Sequence, residues 1–224
     1  MSFTEATWNI TLFSLAVALA STLAILPFGI ALSWLLARKR SRFNNFVETI
    51  VLLPLVMPPV ATGLILLKIF GRRSPVGGWL YERGVEILFN WKGVLVAMAV
   101  MSFPLLVRSV KTSFTEVNPR LEQIAASLGA SAPRIFFAVT VPLAWRGLVA
   151  GALLAFSRAL GEFGATIILA GNIPGKTQTL ALAIFDFVQL GKDPEAFGLI
   201  VVTVVAAFAA VGISEHLVRG KGQV

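Results

Sequence analysis

The chain has 224 residues, of which 57% are apolar and only 13% charged, and its net charge is +8. A water-soluble domain carries about 25% charged residues, so a soluble fold of this length would lack the polar surface to cover itself. With no cysteine and a single histidine, His216, the chain excludes disulfides, thiolate nucleophiles, iron–sulfur clusters and Cys- or His-rich metal centres.

The first uncharged run extends from Ile10 to Ala37. A bilayer core takes about 20 apolar residues, so this run predicts a tilted membrane span. Ala18-Leu19-Ala20 has the look of a leader-peptidase site, but Glu5, the absence of an N-terminal basic residue and the length of the run argue against a cleaved leader. The second run, Ile50 to Leu67, contains Pro54, Pro58 and Pro59, which membrane helices tolerate where neighbours satisfy the freed carbonyls. The third runs from Gly93 to Val107, with Trp91 suited to one interface and Arg108 and Lys111 able to snorkel at the other.

Between the third and fourth runs lies a long segment patterned as helix. Asn118 is a good N-cap and Pro119 fits the first helical position. Leu121, Ile124, Ala125 and Leu128 recur at helical spacing, and Gly129 supplies the stop. A second short helix starts around Pro133 and carries Ile135, Phe136 and Val139, with Pro142 expected to break it. The small residues Ala125, Ala126, Gly129 and Ala130 would let another protein approach closely; packing on the chain's own spans is the alternative reading of the same face.

The fourth run, Gly147 to Ile173, is apolar except for Arg158 and Glu162. Four residues apart, these two share a helix face. A position facing lipid would cost several kcal/mol, so they face the interior or a cavity, either as a structural ion pair or as a lining of a pathway. Gly147 and Gly151 form a small-x3-small pair suited to close helix packing. Thr177 to Leu190 is too short to span and reads as an amphipathic helix at one membrane face. Ala196 to Ser214 is the fifth span.

These runs predict a single all-α membrane domain over 1–224. Five spans cover about 10–37, 47–70, 91–110, 145–172 and 196–217, with a cytoplasmic loop over 111–144. Lys and Arg number eleven on the side holding loop 38–46, loop 108–146 and the tail, against six on the other. The positive-inside rule puts the first set in the cytoplasm, the N-terminus outside and the C-terminus inside.

Leu121-Glu122-Gln123-Ile124-Ala125-Ala126-Ser127-Leu128-Gly129-Ala130, with Val139-Thr140-Val141-Pro142 downstream, resembles the EAA loop of ABC importer permeases. That motif reads Glu-Ala-Ala, three residues, Gly, nine residues, Ile-x-Leu-Pro. Here the triplet falls on Gln123, Ile124 and Ala125, with Glu122 one position away. The spacing to Gly129 and to Pro142 is intact. Ser157 to Thr166, Ala170 to Leu180 and the proline-rich Leu53 to Val60 with Gly71-Arg72-Arg73 are similar to the molybdate permease family.

The resemblance implies a multi-pass inner-membrane transport subunit that works as two copies with the pathway between them. Cytoplasmic ABC ATPase subunits would grip the segment around Gln123 to Pro133, with Glu122, Gln123, Ile124, Ala125, Ala126, Gly129, Ala130, Pro133 and Pro142 as the coupling residues. An extracytoplasmic oxyanion-binding protein would deliver molybdate, or tungstate, at the outer face, where Asn172 and Lys176 are candidate contacts. This chain would hold no catalytic residue, metal or cofactor, and ATP and Mg would be used by the ATPase partners. Its remaining partner is membrane lipid, and nucleic acid is not among them. Sulfate or thiosulfate is the alternative cargo. A channel or secondary transporter, or an intramembrane enzyme built on Ser157, Glu162 and Asp186, is the reading from another class. Ala170-x4-Gly175-Lys176-Thr177 satisfies a relaxed phosphate-loop pattern, but it closes a span where a strand is required, so a solvated turn or a docking loop is expected instead.

Overall fold

The computed structural model describes residues 3–38 and 41–219. Lys39, Arg40 and Lys221, which enter the charge count, lie outside the described residues. Among the described residues four helices are long and apolar enough to cross a membrane: α1 (Phe3–Arg38), α5 (Trp91–Thr115), the stretch Ala132–Leu160 and α11 (Asp193–Arg219). At 1.5 Å per residue the 36 residues of α1 extend about 54 Å. A hydrocarbon core is only about 30 Å thick, so a helix of that length reaches past it.

The second apolar run is two helices, α2 (Arg42–Val56) and α3 (Pro59–Phe70), bent by 114°. The adjacent prolines explain the break. Pro58 and Pro59 have no N–H, so the carbonyls of Pro54 and Leu55 lose their donors four residues on. A residue before proline is also steered out of the α region, and Met57 is extended at φ −71°, ψ 146°. A short helix, α4 (Pro75–Glu82), capped by the Ser74 side chain, leads to α5.

After α5 the chain forms α6 (Pro119–Ser127) and a single turn, α7 (Ala132–Ile135). Pro142 does not break the chain here. Residues Phe136–Thr140 form a π turn that runs straight into α8 (Val141–Leu160), with Pro142 in the first turn of α8. The wider turn, in which Val141 N–H bonds the Phe136 carbonyl, relieves the ring of Pro142 from the crowding it would meet in an unbroken α-helix. The fourth run is therefore shifted towards the N-terminus of the range expected, 145–172. It ends as a helix at Leu160 and resumes only as α9 (Gly164–Ala170). The amphipathic segment is α10 (Leu180–Gln189), which packs Leu180, Leu182 and Ala183 inward.

Helix α5 is the central post, contributing to all three apolar clusters: with α1, α8, α10 and α11 around Met98, with α1 and α8 around Phe114, and with α3 and α9 around Met101. Small residues let the backbones close up. A Cβ built on Gly147 of α8 would stand 1.7 Å from Ser113 Oγ on α5, and one on Gly151 would stand 3.0 Å from Val110 Cγ2. Gly147→Val is accordingly expected to destabilise the folded protein by about 1–3 kcal/mol, read as an earlier thermal transition in detergent; an unchanged transition would mean that α5 and α8 can separate freely. Interhelical hydrogen bonds add to the packing: Ser33 Oγ to the Val107 carbonyl at 3.0 Å and Ser214 Oγ to the Ala150 carbonyl at 3.2 Å. Such bonds contribute roughly 0.6 kcal/mol each in membranes. The outer surface is apolar along α2, α3 and α11, as a lipid-facing surface must be, with Val56 and Phe208 among the most exposed side chains.

Candidate functional site

The helix α6 forms where its signals predict. The Asn118 side chain accepts from Arg120 N–H at 3.0 Å, Pro119 opens the first turn, and Gly129 ends the segment at φ +84°. A left-handed residue just past a helix end is most easily a glycine. No residue of α6 is buried. Leu121, Ile124 and Leu128 all point outward, Ile124 at 57% and Leu128 at 82% exposure. Gln123, Ala126, Gly129, Pro133 and Pro142 are exposed as well, while Ala125 and Ala130 are half-buried. The chain's own spans therefore leave the apolar face of α6 uncovered.

Glu122 stands apart from this face. Its Oε1 accepts from Arg38 Nη2, at the end of α1, and from the hydroxyl of Thr140, in the π turn. Both charged side chains are about one-fifth exposed (20% and 19%). Hydrogen bonds to charged groups in such surroundings contribute roughly 1.5–3 kcal/mol. Between the end of α1 and α6 lies a cavity of about 460 Å³, walled by Trp34, Arg38, Glu122, Gln123, Phe136 and Thr140 among others. Trp34 and Phe136 meet edge to face at 5.4 Å. Trp34 Nε1 and Arg38 Nε are buried with no partner among the described residues. A separate ion pair joins α5 to α2, where Lys111 binds both carboxylate oxygens of Glu48 at 2.6 Å.

The second cluster sits where α8 stops. Gly161 caps α8, and Glu162 and Phe163 form the break before α9. Arg158 and Glu162 thus do not lie mid-helix: Arg158 is in the last turn of α8 and Glu162 is beyond it. Glu162 is 1% exposed, accepts from Arg158 Nη1 at 2.7 Å through Oε2, and caps α9 by accepting from Ala165 N–H at 2.8 Å through Oε1. Arg158 is 27% exposed. The other broken helix abuts the same place. A Cβ on Gly164 would meet Pro59 Cβ at 2.7 Å, and one on Gly63 would meet Ala165 Cα at 2.9 Å, so α3 and α9 touch backbone to backbone. Thr62 and Thr166, on these two helices, keep buried hydroxyls without partners among the described residues.

The glycine-rich loop follows α9. Gly171 has φ +70°; the Thr177 hydroxyl donates to its carbonyl and accepts from Ile173 N–H, both at 3.0 Å. Thr179 caps α10, and Leu180 N–H donates to Ser14 Oγ of α1 at 2.8 Å. The loop is preceded by a helix and folded on its own threonine, so it cannot present a ring of free amides to a phosphate. Lys176 is exposed and Asn172 half-buried, with Oδ1 lacking a partner among the described residues; Lys176 edges a cavity of about 220 Å³ shared with Asn9, Phe13 and Gln178. Ser157 Oγ is bonded to the Leu153 carbonyl at 2.9 Å, the usual resting place of a serine in a helix and not of a nucleophile.

Sequence reasoning missed Arg38 and Thr140 as partners of Glu122. A lone hydroxyl between Val139 and Val141 is the available signal for Thr140; Arg38 offers none, since it reads only as a loop charge.

A family model described as the inner membrane component of binding-protein-dependent transport systems matches residues 25–221. The molybdenum transport system permease protein ModB of Escherichia coli K12 is 42% identical over 221 residues, covering 98% of this chain and 96% of that protein. The sulfate transport system permease protein CysT of the same organism is 36% identical, covering 80% of this chain and 65% of its own length. Among solved structures, a bacterial alginate ABC transporter in complex with an alginate pentasaccharide-bound periplasmic protein superimposes with a TM-score of 0.74 over 96% of this chain and 79% of that one. At 17% identity that likeness is one of fold.

Proposed function

We propose a molybdate-importing permease, on the premise that this chain belongs to the family of binding-protein-dependent transport system inner membrane components. It is a multi-pass inner-membrane protein and a transport component. The observation that carries the substrate is the end-to-end 42% identity to a molybdenum transport permease, against 36% over a shorter span for a sulfate permease.

In this reading two copies enclose the pathway, and the end of the bundle that carries α6 faces the cytoplasm, with the N-terminus outside and the C-terminus inside. The charge asymmetry supports that orientation. Two ABC ATPase subunits, which use ATP and Mg, seat on the face formed by Leu121, Ile124 and Leu128 together with Gln123, Ala126, Gly129 and Pro133. The exposure of that face supports the docking. A soluble oxyanion-binding protein approaches the opposite end, where exposed Lys176 and the nearby Asn172 offer a cation and an amide. The ATPases shift the spans between two states only because they bind one of them better.

Within the membrane, Arg158 attracts the anion at the α8–α9 break. Glu162 holds part of that charge in check, so the anion is drawn in but not retained. Tight binding along the pathway would slow release, and selectivity rests with the binding protein.

Uptake of labelled molybdate and sulfate into vesicles carrying the whole transporter tests this function. Molybdate is expected to be preferred by at least about tenfold, equivalent to 1.4 kcal/mol. A preference for sulfate would reverse the substrate and leave the permease assignment standing; uptake without the ATPase subunits would overturn both.

A further inference from the structure

We infer that Glu122 is a latch that harnesses the ATPase-docking helix α6 to the first span as well as to the fourth, and that it makes no contact with the ATPase itself. This rests on the reading of α6 as the docking element. What motivates it is how little else holds α6 in place. No residue of α6 is buried, so apolar packing does not anchor it. The Asn118 cap and the Ser127 hydroxyl bond only within the segment, to Arg120 N–H and the Gln123 carbonyl. Among the described residues, Glu122 makes the one side-chain bond pattern that leaves α6, and it reaches two different elements at once.

Those two elements are placed to carry motion. Arg38 is the last residue of α1, and Ser14, in the N-terminal third of the same helix, ties it to the start of α10. Thr140 is fully buried in the π turn that continues into α8, and α8 runs on to Arg158. A charge-assisted bond is short and directional, so displacement of α6 is transmitted through it to both helices. Without it, among the described residues, α6 is linked to α8 through the turn at Gly129 to Ser131 and α7, and to α1 by no other side-chain bond. The cavity of about 460 Å³ beside the latch leaves α6 room to swing on that turn. In chemical terms Glu122 is a positioning residue: its carboxylate is spent inside the chain.

The test uses the complete transporter in liposomes with Glu122→Ala, Glu122→Gln and Thr140→Val. Three quantities are read: co-purification of the ATPase subunits, molybdate moved per ATP hydrolysed, and the distance between spin labels at Leu35→Cys on α1 and Ser127→Cys on α6. Glu122→Ala is expected to retain its ATPase partners and their hydrolysis while transport per ATP falls roughly tenfold, a shift within the range that positioning networks exert on coupling. The label distance broadens in the same variant. Glu122→Gln recovers much of the loss, because its amide oxygen still accepts from Arg38 and Thr140, and Thr140→Val falls between. Unchanged transport per ATP and an unchanged distance in Glu122→Ala would overturn the latch. So would loss of the ATPase subunits from both Glu122 variants, which would make the residue a docking contact. Failure of the docking reading itself has a separate signature: ATPase subunits that still co-purify when residues 118–133 are deleted.

Discussion

Uptake by the Arg158→Ala protein is expected to fall by more than about tenfold, together with its yield of folded protein. The two losses have different causes, and a second variant separates them. Glu162 is 1% exposed and keeps its capping bond to Ala165 when Arg158 is gone, but its charge is then buried without a counter-ion. Removing one partner of a buried pair costs roughly 3–5 kcal/mol. Arg158 is a quarter exposed, which puts this pair towards the lower figure. The neutral pair Arg158→Met with Glu162→Gln removes both charges and retains the cap, since a glutamine oxygen accepts from Ala165 N–H as a carboxylate does. Its stability should return to near the starting value, because a buried ion pair replaced as a unit is often neutral in stability. If Arg158 draws the oxyanion through, uptake stays low in the double variant. If the pair only braces the α8–α9 break, uptake returns with stability, and the pathway role is lost. Glu162→Gln alone gives the complementary result: an unchecked Arg158 holds the anion longer, so uptake saturates at a lower external concentration and at a lower ceiling.

The features legible in the sequence are those whose causes are local. Asn118, Pro119 and Gly129 act within one turn of themselves, and the helix they delimit forms between them. The spans at α1, α5 and α11 need only length and hydropathy. The breaks were not legible, because a hydropathy window averages over them. Gly161-Glu162-Phe163 lies inside an apolar run, and one carboxylate does not lower its mean enough to mark a stop. At Met57 the informative detail was that Pro58 and Pro59 are adjacent: one proline kinks a membrane helix, whereas two in succession remove consecutive donors and turn the chain through 114°. The π turn depends on partners far along the chain, with Phe136 packed between Trp34 and Phe114. The ion pairs are more remote still. Arg38 and Glu122 are 84 residues apart, and Lys111 and Glu48 are 63 apart. No local rule joins such pairs, and it was this kind of contact that turned Glu122 from a neighbour of a motif position into a structural joint.

The docking face should be as sensitive as the pathway, and for a simpler reason. Ile124 and Leu128 are 57% and 82% exposed on a segment none of whose helical residues is fully buried. Covering a side chain of this size stabilises a complex by about 1.5–3 kcal/mol, so the two together can supply much of the affinity of a small helix-in-groove contact. Replacing both with aspartate removes that term and sets two carboxylates against an apolar groove, where each must be desolvated. Association with the ATPase subunits is then expected to weaken by about a hundredfold or more, which is roughly 3 kcal/mol at the least, and uptake to vanish with it. The permease itself should be indifferent: exposed positions away from packing shift stability by no more than about 0.5 kcal/mol, so its insertion and its thermal transition in detergent stay where they were. That combination distinguishes docking from folding. Ile124→Asp with Leu128→Asp protein that still retains its ATPase subunits and still imports would show that the exposed stripe on α6 meets no motor. The route from nucleotide to span would then have to be sought elsewhere on the molecule.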